Sequence, residues 1–332
     1  STWFTPKGSG VRIPQRPQLE DLLYKNRILF DIDRRCKVEK FNKIIMDATM
    51  IISQIFLPIS LAIIMFGMGL TLVVGDFGRL FTYPKAVLVG LCNQLVFLPL
   101  IGFSIILLFD LNSSMAIGIM ILSVCPGGPT SNLITQVARG NIGLSVTLTA
   151  LASLITVFTI PIILSKAITY FTGDTAVVIE LPVLQTMLQI LVITVIPVSI
   201  GMVIRNRNEG FALRMERPMR IASTVLFIII FLLVMIANKE LIIQAMKEVG
   251  LATLLLNLST MVLGYITAKF FGITGKSQIS ITIESGIQNG TLAFVIATTI
   301  LNNVEMGLPT GAYSIWMFIT GGILMWRLGV SK

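Results

Sequence analysis

Two stretches decide the fold: Cys125-Pro126-Gly127-Gly128-Pro129-Thr130-Ser131-Asn132 and Glu284-Ser285-Gly286-Ile287-Gln288-Asn289-Gly290. Each lies deep in apolar sequence and sets helix breakers beside oxygen-bearing side chains. Irregular backbone at membrane depth survives only where protein or a water-filled cavity satisfies it. A pair of interrupted spans in matching positions of two halves marks the substrate site of a secondary transporter.

The surrounding chain is that of a membrane protein. Of its 332 residues 55% are apolar and only 12% are charged, with a mean hydropathy of +0.89. Soluble domains carry about 25% charge. The isoelectric point near 9.7 does not signal nucleic-acid binding, because the basic residues flank apolar spans and act as topology signals. Cys36, Cys92 and Cys125 form neither a disulfide framework nor a zinc pattern. The chain has no histidine, which excludes histidine metal ligation and histidine general-base chemistry.

A spanning helix needs roughly 20 mostly apolar residues. Nine segments are expected to span: Thr49–Val74, Ala86–Leu108, Ser114–Val137, Ile142–Leu164, Val183–Ile204, Ile221–Ile236, Leu251–Phe271, Ile279–Leu301 and Gly311–Leu328. The loops on one side hold Arg79, Lys85, Arg139, Arg205, Arg207, Arg214, Arg217, Arg220, Lys269, Lys276, Arg327 and Lys332; those on the other hold Lys166, Lys239 and Lys247. The positive-inside rule makes the first side cytoplasmic, with the C-terminus inside and the start of the first span outside. The expected setting is the cell (inner) membrane. Oligomeric state is left open, and a monomer is compatible with the sequence.

Residues 1–45 stand apart. They are rich in Lys and Arg, including Arg34, Arg35, Lys37, Lys40 and Lys43, and would face outward with nine spans. They hold no spanning run and no signal-peptide pattern. They read as a basic extension outside the transporter, which would begin at Met46; a cytosolic tail preceding a tenth span is the alternative.

The chemistry centres on Glu284. A carboxylate at the bilayer centre costs at least about 2.5 kcal/mol on insertion scales, so it needs a cation, a proton or a buried partner. A protonated carboxyl bonded between helices is the plainer reading. The neighbours favour a cation ligand: Gln288 and Asn289 follow, and Ser285, Gly286 and Gly290 can expose carbonyls. In the first break, Thr130, Ser131 and Asn132 supply oxygens after two prolines and two glycines. Ser145 and Thr149 share one helix face, although such hydroxyls often bond back to the preceding turn. Gln94 in an apolar span has an interhelical hydrogen bond as its plain role. Neutral oxygens with one carboxylate suit a hard cation such as sodium; a proton would use Glu284 and leave the other oxygens without a task.

These residues resemble the bile acid:sodium symporter family from about Ile51 to Leu328. The matching motifs are Ile64-Met65-Phe66-Gly67-Met68-Gly69-Leu70-Thr71-Leu72, Asp76-Phe77, Cys125-Pro126-Gly127-Gly128 with Ser131-Asn132, Ala138-Arg139-Gly140-Asn141 leading into Leu144-Ser145-Val146, and Ile283-Glu284 with Gly286 and Gln288-Asn289. The resemblance implies an all-α polytopic fold: an inverted-repeat transporter of about nine spans with two crossing discontinuous helices. It implies a transmembrane domain over 46–332, with a core of about 86–164 and 251–301. The panel that moves against it would comprise about 49–74, 183–236 and 311–328. It implies two sodium sites, one from Ser131, Asn132, Ser145, Thr149 and Glu284. The other would use Gln94, Glu284, the carbonyls of Ser285 and Ile287, and Gln288. The substrate side is expected at Pro129, Thr130, Asn289 and Phe318. Two positions depart from the pattern. Pro129 stands where a small hydroxyl residue is usual, and Trp316-Met317-Phe318 stands where bacterial bile-acid binders tend to carry Trp-His-Asn. Residues 14–30 separately resemble the start of a Clp protease subunit, without a catalytic residue.

The expected function is sodium-coupled import of a small organic anion by alternating access, with no cofactor beyond the coupling sodium. The alternatives are a proton-coupled efflux carrier for a metalloid or organic anion, centred on Cys125 and Glu284, and a membrane anchor that transports nothing. No nucleophile–base pair or cofactor motif points to an enzyme.

Overall fold

The computed structural model describes residues 52–173, 182–215 and 239–329, together with 217–219, 221–222, 225 and 229. Residues 1–45 and most of Ile221–Ile236 lie outside the described residues. Eleven helices carry the architecture: α1 (Gln54–Thr71), α2 (Val74–Thr82), α3 (Pro84–Phe109), α4 (Ser113–Val124), α5 (Pro129–Val137), α6 (Ile142–Thr172), α7 (Val183–Arg207), α8 (Lys239–Phe270), α9 (Lys276–Gly286), α10 (Gly290–Ile300) and α11 (Leu308–Gly329). Among the described residues, six helices are long and apolar enough to cross a membrane: α1, α3, α6, α7, the Met246–Phe270 part of α8, and α11 with its leading turn from Glu305. At 1.5 Å rise per residue, the 26 residues of α3 run about 39 Å, past the hydrocarbon core of about 30 Å.

Of the three remaining expected spans, Ile221–Ile236 lies mostly outside the described residues and the other two are each split. Ser114–Val137 becomes α4 and α5, parted at Cys125–Gly128; Ile279–Leu301 becomes α9 and α10, parted at Ile287–Asn289. The first split is local in origin. Pro126 disfavours helical backbone at the residue before it, and Cys125 is extended with ψ 147°. Proline then stands in the first turn of α5, where its missing N–H costs nothing. Asparagine starts three helices: the side-chain oxygens of Asn112, Asn141 and Asn289 accept from the backbone N–H of Met115, Leu144 and Leu292 at 2.9, 3.1 and 3.0 Å.

Three spans widen into a π turn just ahead of a proline: Ile52–Phe56 before Pro58, Asn93–Phe97 before Pro99, and Leu191–Val195 before Pro197. A proline inside a helix removes a donor and crowds the carbonyl four residues back. An extra residue in the preceding turn relieves both, with Leu98 and Ile196 donating five residues back to Asn93 and Leu191.

Packing brings the broken helices to the centre. α8 lies against α3, α9 and α11; α11 also packs on α4, α5 and α10; α4 lies against α3 and α6. α11, expected with the panel, thus has the broken helices as neighbours. α1 packs on α7 at Gly69 and Gly201, where a Cβ on either would strike the opposing backbone. Small residues at membrane helix contacts permit such approach. α7 turns Leu184, Leu188, Val192, Ile196, Ile200 and Val203 outward, an apolar surface suited to lipid tails. The short α2 follows the expected first span; its Asp76 accepts the N–H of Val73 at 2.9 Å, and its backbone holds the Thr147 hydroxyl at 3.0 Å.

Candidate functional site

The two breaks meet. Gly127 and Gln288 pair as an isolated antiparallel bridge, and the N–H of Asn289 donates to the carbonyl of Pro126 at 2.8 Å. Each unwound segment thereby satisfies backbone groups the other exposes, as burial requires. This contact gathers residues more than 150 positions apart into two adjoining polar clusters.

The first cluster surrounds Glu284, which is 1% exposed. Thr149 donates to its Oε1 at 2.5 Å and Ser145 lies 3.0 Å from its Oε2. The same hydroxyls reach Asn132 Oδ1 at 3.4 and 2.8 Å, and Thr149 also lies 3.0 Å from the Ser145 carbonyl. The Ser131 hydroxyl sits beside the carboxylate too and is 2.7 Å from the Gly128 carbonyl. Ser131, Ser145 and Thr149 carry one proton each. Those three protons face both carboxylate oxygens, an amide oxygen and two carbonyls. Acceptors converge here in excess of donors, and the partners of Glu284 are neutral.

The second cluster joins it through Glu284 and Gly127. Gln94 sits on the π turn of α3 and donates from Nε2 to Gln288 Oε1 at 3.1 Å; Gln288 Nε2 donates to the Ser285 carbonyl at 2.9 Å. Gln94 Oε1 is buried without a hydrogen-bond partner. A Cβ on Gly127 would collide with Glu284 Oε1 and lie 3.5 Å from Gln94 Nε2, so only glycine lets the first break approach both clusters. Ile287 is fully buried and extended, with φ −112° and ψ 96°. The Ser285 hydroxyl turns back to Ile281 at 2.8 Å, which leaves its backbone carbonyl as the group at the cluster.

All nine residues expected around a cation thus lie at or beside the meeting of the breaks. The four expected on the substrate side are less uniform. Pro129 and Thr130 are half-buried at the start of α5, Asn289 is buried with Nδ2 unpartnered, and Phe318 is 55% exposed on α11. The structure adds residues the sequence reading passed over. Asn257 on α8 and Tyr313 on α11 both bond the Gly286 carbonyl, and Asn93 Nδ2 donates to Thr267 Oγ1 at 2.8 Å. Their one sequence signal was a polar side chain within an apolar span. Chemically, a nest of neutral oxygens around one carboxylate suits a hard cation rather than a soft metal. Among the described residues, no group of three or more His, Cys, Asp and Glu could hold a metal ion.

Comparison with known proteins bears on this geometry. The sequence pattern described as Sodium Bile acid symporter family matches residues 58–245. The chain is 30% identical over 277 residues to a probable sodium/metabolite cotransporter, BASS1, chloroplastic, of Arabidopsis thaliana, covering 82% of this chain and 67% of that one. It is 29% identical over 281 residues to an uncharacterized sodium-dependent transporter, YocS, of Bacillus subtilis, covering 83% of this chain and 84% of that one. It is 28% identical over 240 residues to the human ileal sodium/bile acid cotransporter, covering 72% and 68%.

Proposed function

The chain belongs to the Sodium Bile acid symporter family and is a multi-pass integral membrane protein, and from that premise we propose that it is a sodium-coupled symporter importing a small organic anion. One observation carries the reading: the convergence of acceptor oxygens on Glu284 with too few protons to bridge them. A sodium ion among Ser131, Asn132, Ser145, Thr149 and Glu284 would turn mutual repulsion of lone pairs into coordination. A second sodium would take the unpartnered Gln94 Oε1, Glu284, Gln288 and the carbonyls of Ser285 and Ile287. Sharing Glu284 couples the two occupancies.

The anion follows from the same arrangement. α5 and α10 both begin at the breaks, and helix N-termini favour negative charge. Asn289 Nδ2, buried without a partner, supplies a donor beside them, and bound sodium adds attraction. Pro129, Thr130 and Phe318 complete the substrate side. Alternating access would move α1 and α7 against a core holding both broken helices. We place α11 with that core, because it packs on α4, α5, α8 and α10. By the positive-inside rule the C-terminus is cytoplasmic; strong labelling of Asn206→Cys from outside intact cells by an impermeant reagent would reverse this orientation.

Uptake by vesicles from a panel of small carboxylates, with sodium and proton gradients imposed separately, tests the function. Accumulation is expected under the sodium gradient and lost in Glu284→Gln. Accumulation driven by the proton gradient alone would favour the proton-coupled carrier.

A further inference from the structure

The cation clusters do not hold the second break open by themselves. A helix end leaves its last carbonyls without intrahelical partners, and α9 ends inside the protein. The Gly286 carbonyl receives two donors, Asn257 Nδ2 at 2.7 Å and the Tyr313 hydroxyl at 2.8 Å. Asn257 is itself fixed, since its Oδ1 accepts from Thr320 Oγ1 at 2.9 Å and its Nδ2 lies 3.4 Å from the Tyr313 oxygen. Tyr313 and Asn257 are fully buried. The phenol also lies beside the side chains of Thr260 and Gln288. Behind this group, a Cβ on Gly286 would run into Met261, so α8 is seated directly on the break.

We propose that Tyr313 and Asn257, locked by Thr320, are positioning residues that set the sodium affinity of the Gln94–Gln288 cluster. This rests on the sodium reading above. The Gly286 carbonyl closes α9 and Ile287 beyond it is extended, while the Ser285 carbonyl one residue back accepts from Gln288 Nε2 at 2.9 Å. Fixing the Gly286 carbonyl on α8 and α11 therefore fixes the peptide planes on either side of it, those that carry the Ser285 and Ile287 carbonyls. Without the clamp, the end of α9 is held only from the side of the first break, and the cation must order the Gly286 peptide on binding. The clamp also ties α11, which carries Phe318, to sodium occupancy.

The test is a sodium titration of thermal stability on the purified full chain, at constant ionic strength with choline as the replacement ion. Tyr313→Phe removes one oxygen and keeps the ring. It is expected to need about three- to tenfold more sodium than wild type for half of the stabilisation, the range for one net hydrogen bond, whatever its melting point in choline. Thr320→Val, one bond further out, is expected to shift the half-point in the same direction by less, and it decides the matter if Tyr313→Phe does not fold. An unchanged sodium half-point in a folded variant overturns the clamp, as does a lowered melting point in choline with the half-point unmoved, since that is a structural role alone. A wild type that sodium does not stabilise refutes the sodium reading instead.

Discussion

The two breaks solve one problem in different ways. The first, at Cys125–Gly128, is made by its own residues: Pro126 ends α4, Pro129 begins α5, and glycines between them admit the neighbouring carboxylate. The second, at Ile287–Asn289, has no proline and includes a β-branched residue. It is held from outside, by Asn257 and Tyr313 on Gly286, by Pro126 on Asn289, and by Gln94 on Gln288. The first break is a rigid wall written in the local chain. The second bears the carboxylate and depends on its surroundings, so a bound ion can feel and alter it.

The sharpest way to break the comparison is to add one methyl group to each segment. Gly127→Ala puts a Cβ against Glu284 Oε1, where neither the bridge to Gln288 nor the short bond to Thr149 can yield. Overpacking costs of about 1–3 kcal/mol predict a loss of sodium-driven uptake of roughly ten- to hundredfold. Gly286→Ala meets Cγ and Sδ of Met261 instead, an unbranched side chain that can repack by turning about χ1, whereas the Glu284 carboxylate is fixed by three hydroxyls. Its loss of uptake is expected to be smaller, about three- to tenfold on the same scale. Equal rates in the two variants, measured at matched membrane expression, would remove the distinction between a rigid wall and a yielding segment.

The smallest expected effect lies at the rim of the first break. Pro129→Ser adds an N–H and a hydroxyl at the N-terminus of α5, where negative charge gains about 0.3–1 kcal/mol. Half-saturation for the transported anion should fall by roughly two- to fivefold with the sodium dependence unchanged. A shift in sodium dependence would place Pro129 in the cation machinery rather than on the substrate side.

How far the sequence could be read follows from the same contrast. Local causes were legible: the Pro-Gly break and the four-residue spacing that sets Ser145 and Thr149 on one face of α6. The carboxylate inside a span was conspicuous, because its insertion cost demands an explanation. Features that depend on two distant segments meeting were not. The pairing of Gly127 with Gln288, the orphaned oxygen of Gln94 and the clamp on Gly286 exist only once α3, α8 and α11 close around the breaks. Helix α2 and the π turns also escaped the span reading: α2 is too short to register as a span, and the turns add one residue to a helix without interrupting it.

Counting sodium ions bound to the purified chain at equilibrium, with radioactive sodium and with Glu284→Gln beside wild type, tests the central claim most directly. Because Glu284 belongs to both oxygen clusters, wild type should bind about two sodium ions and Glu284→Gln close to none at the same concentration. Wild-type protein that binds no sodium, or Glu284→Gln that binds it as wild type does, would contradict the account.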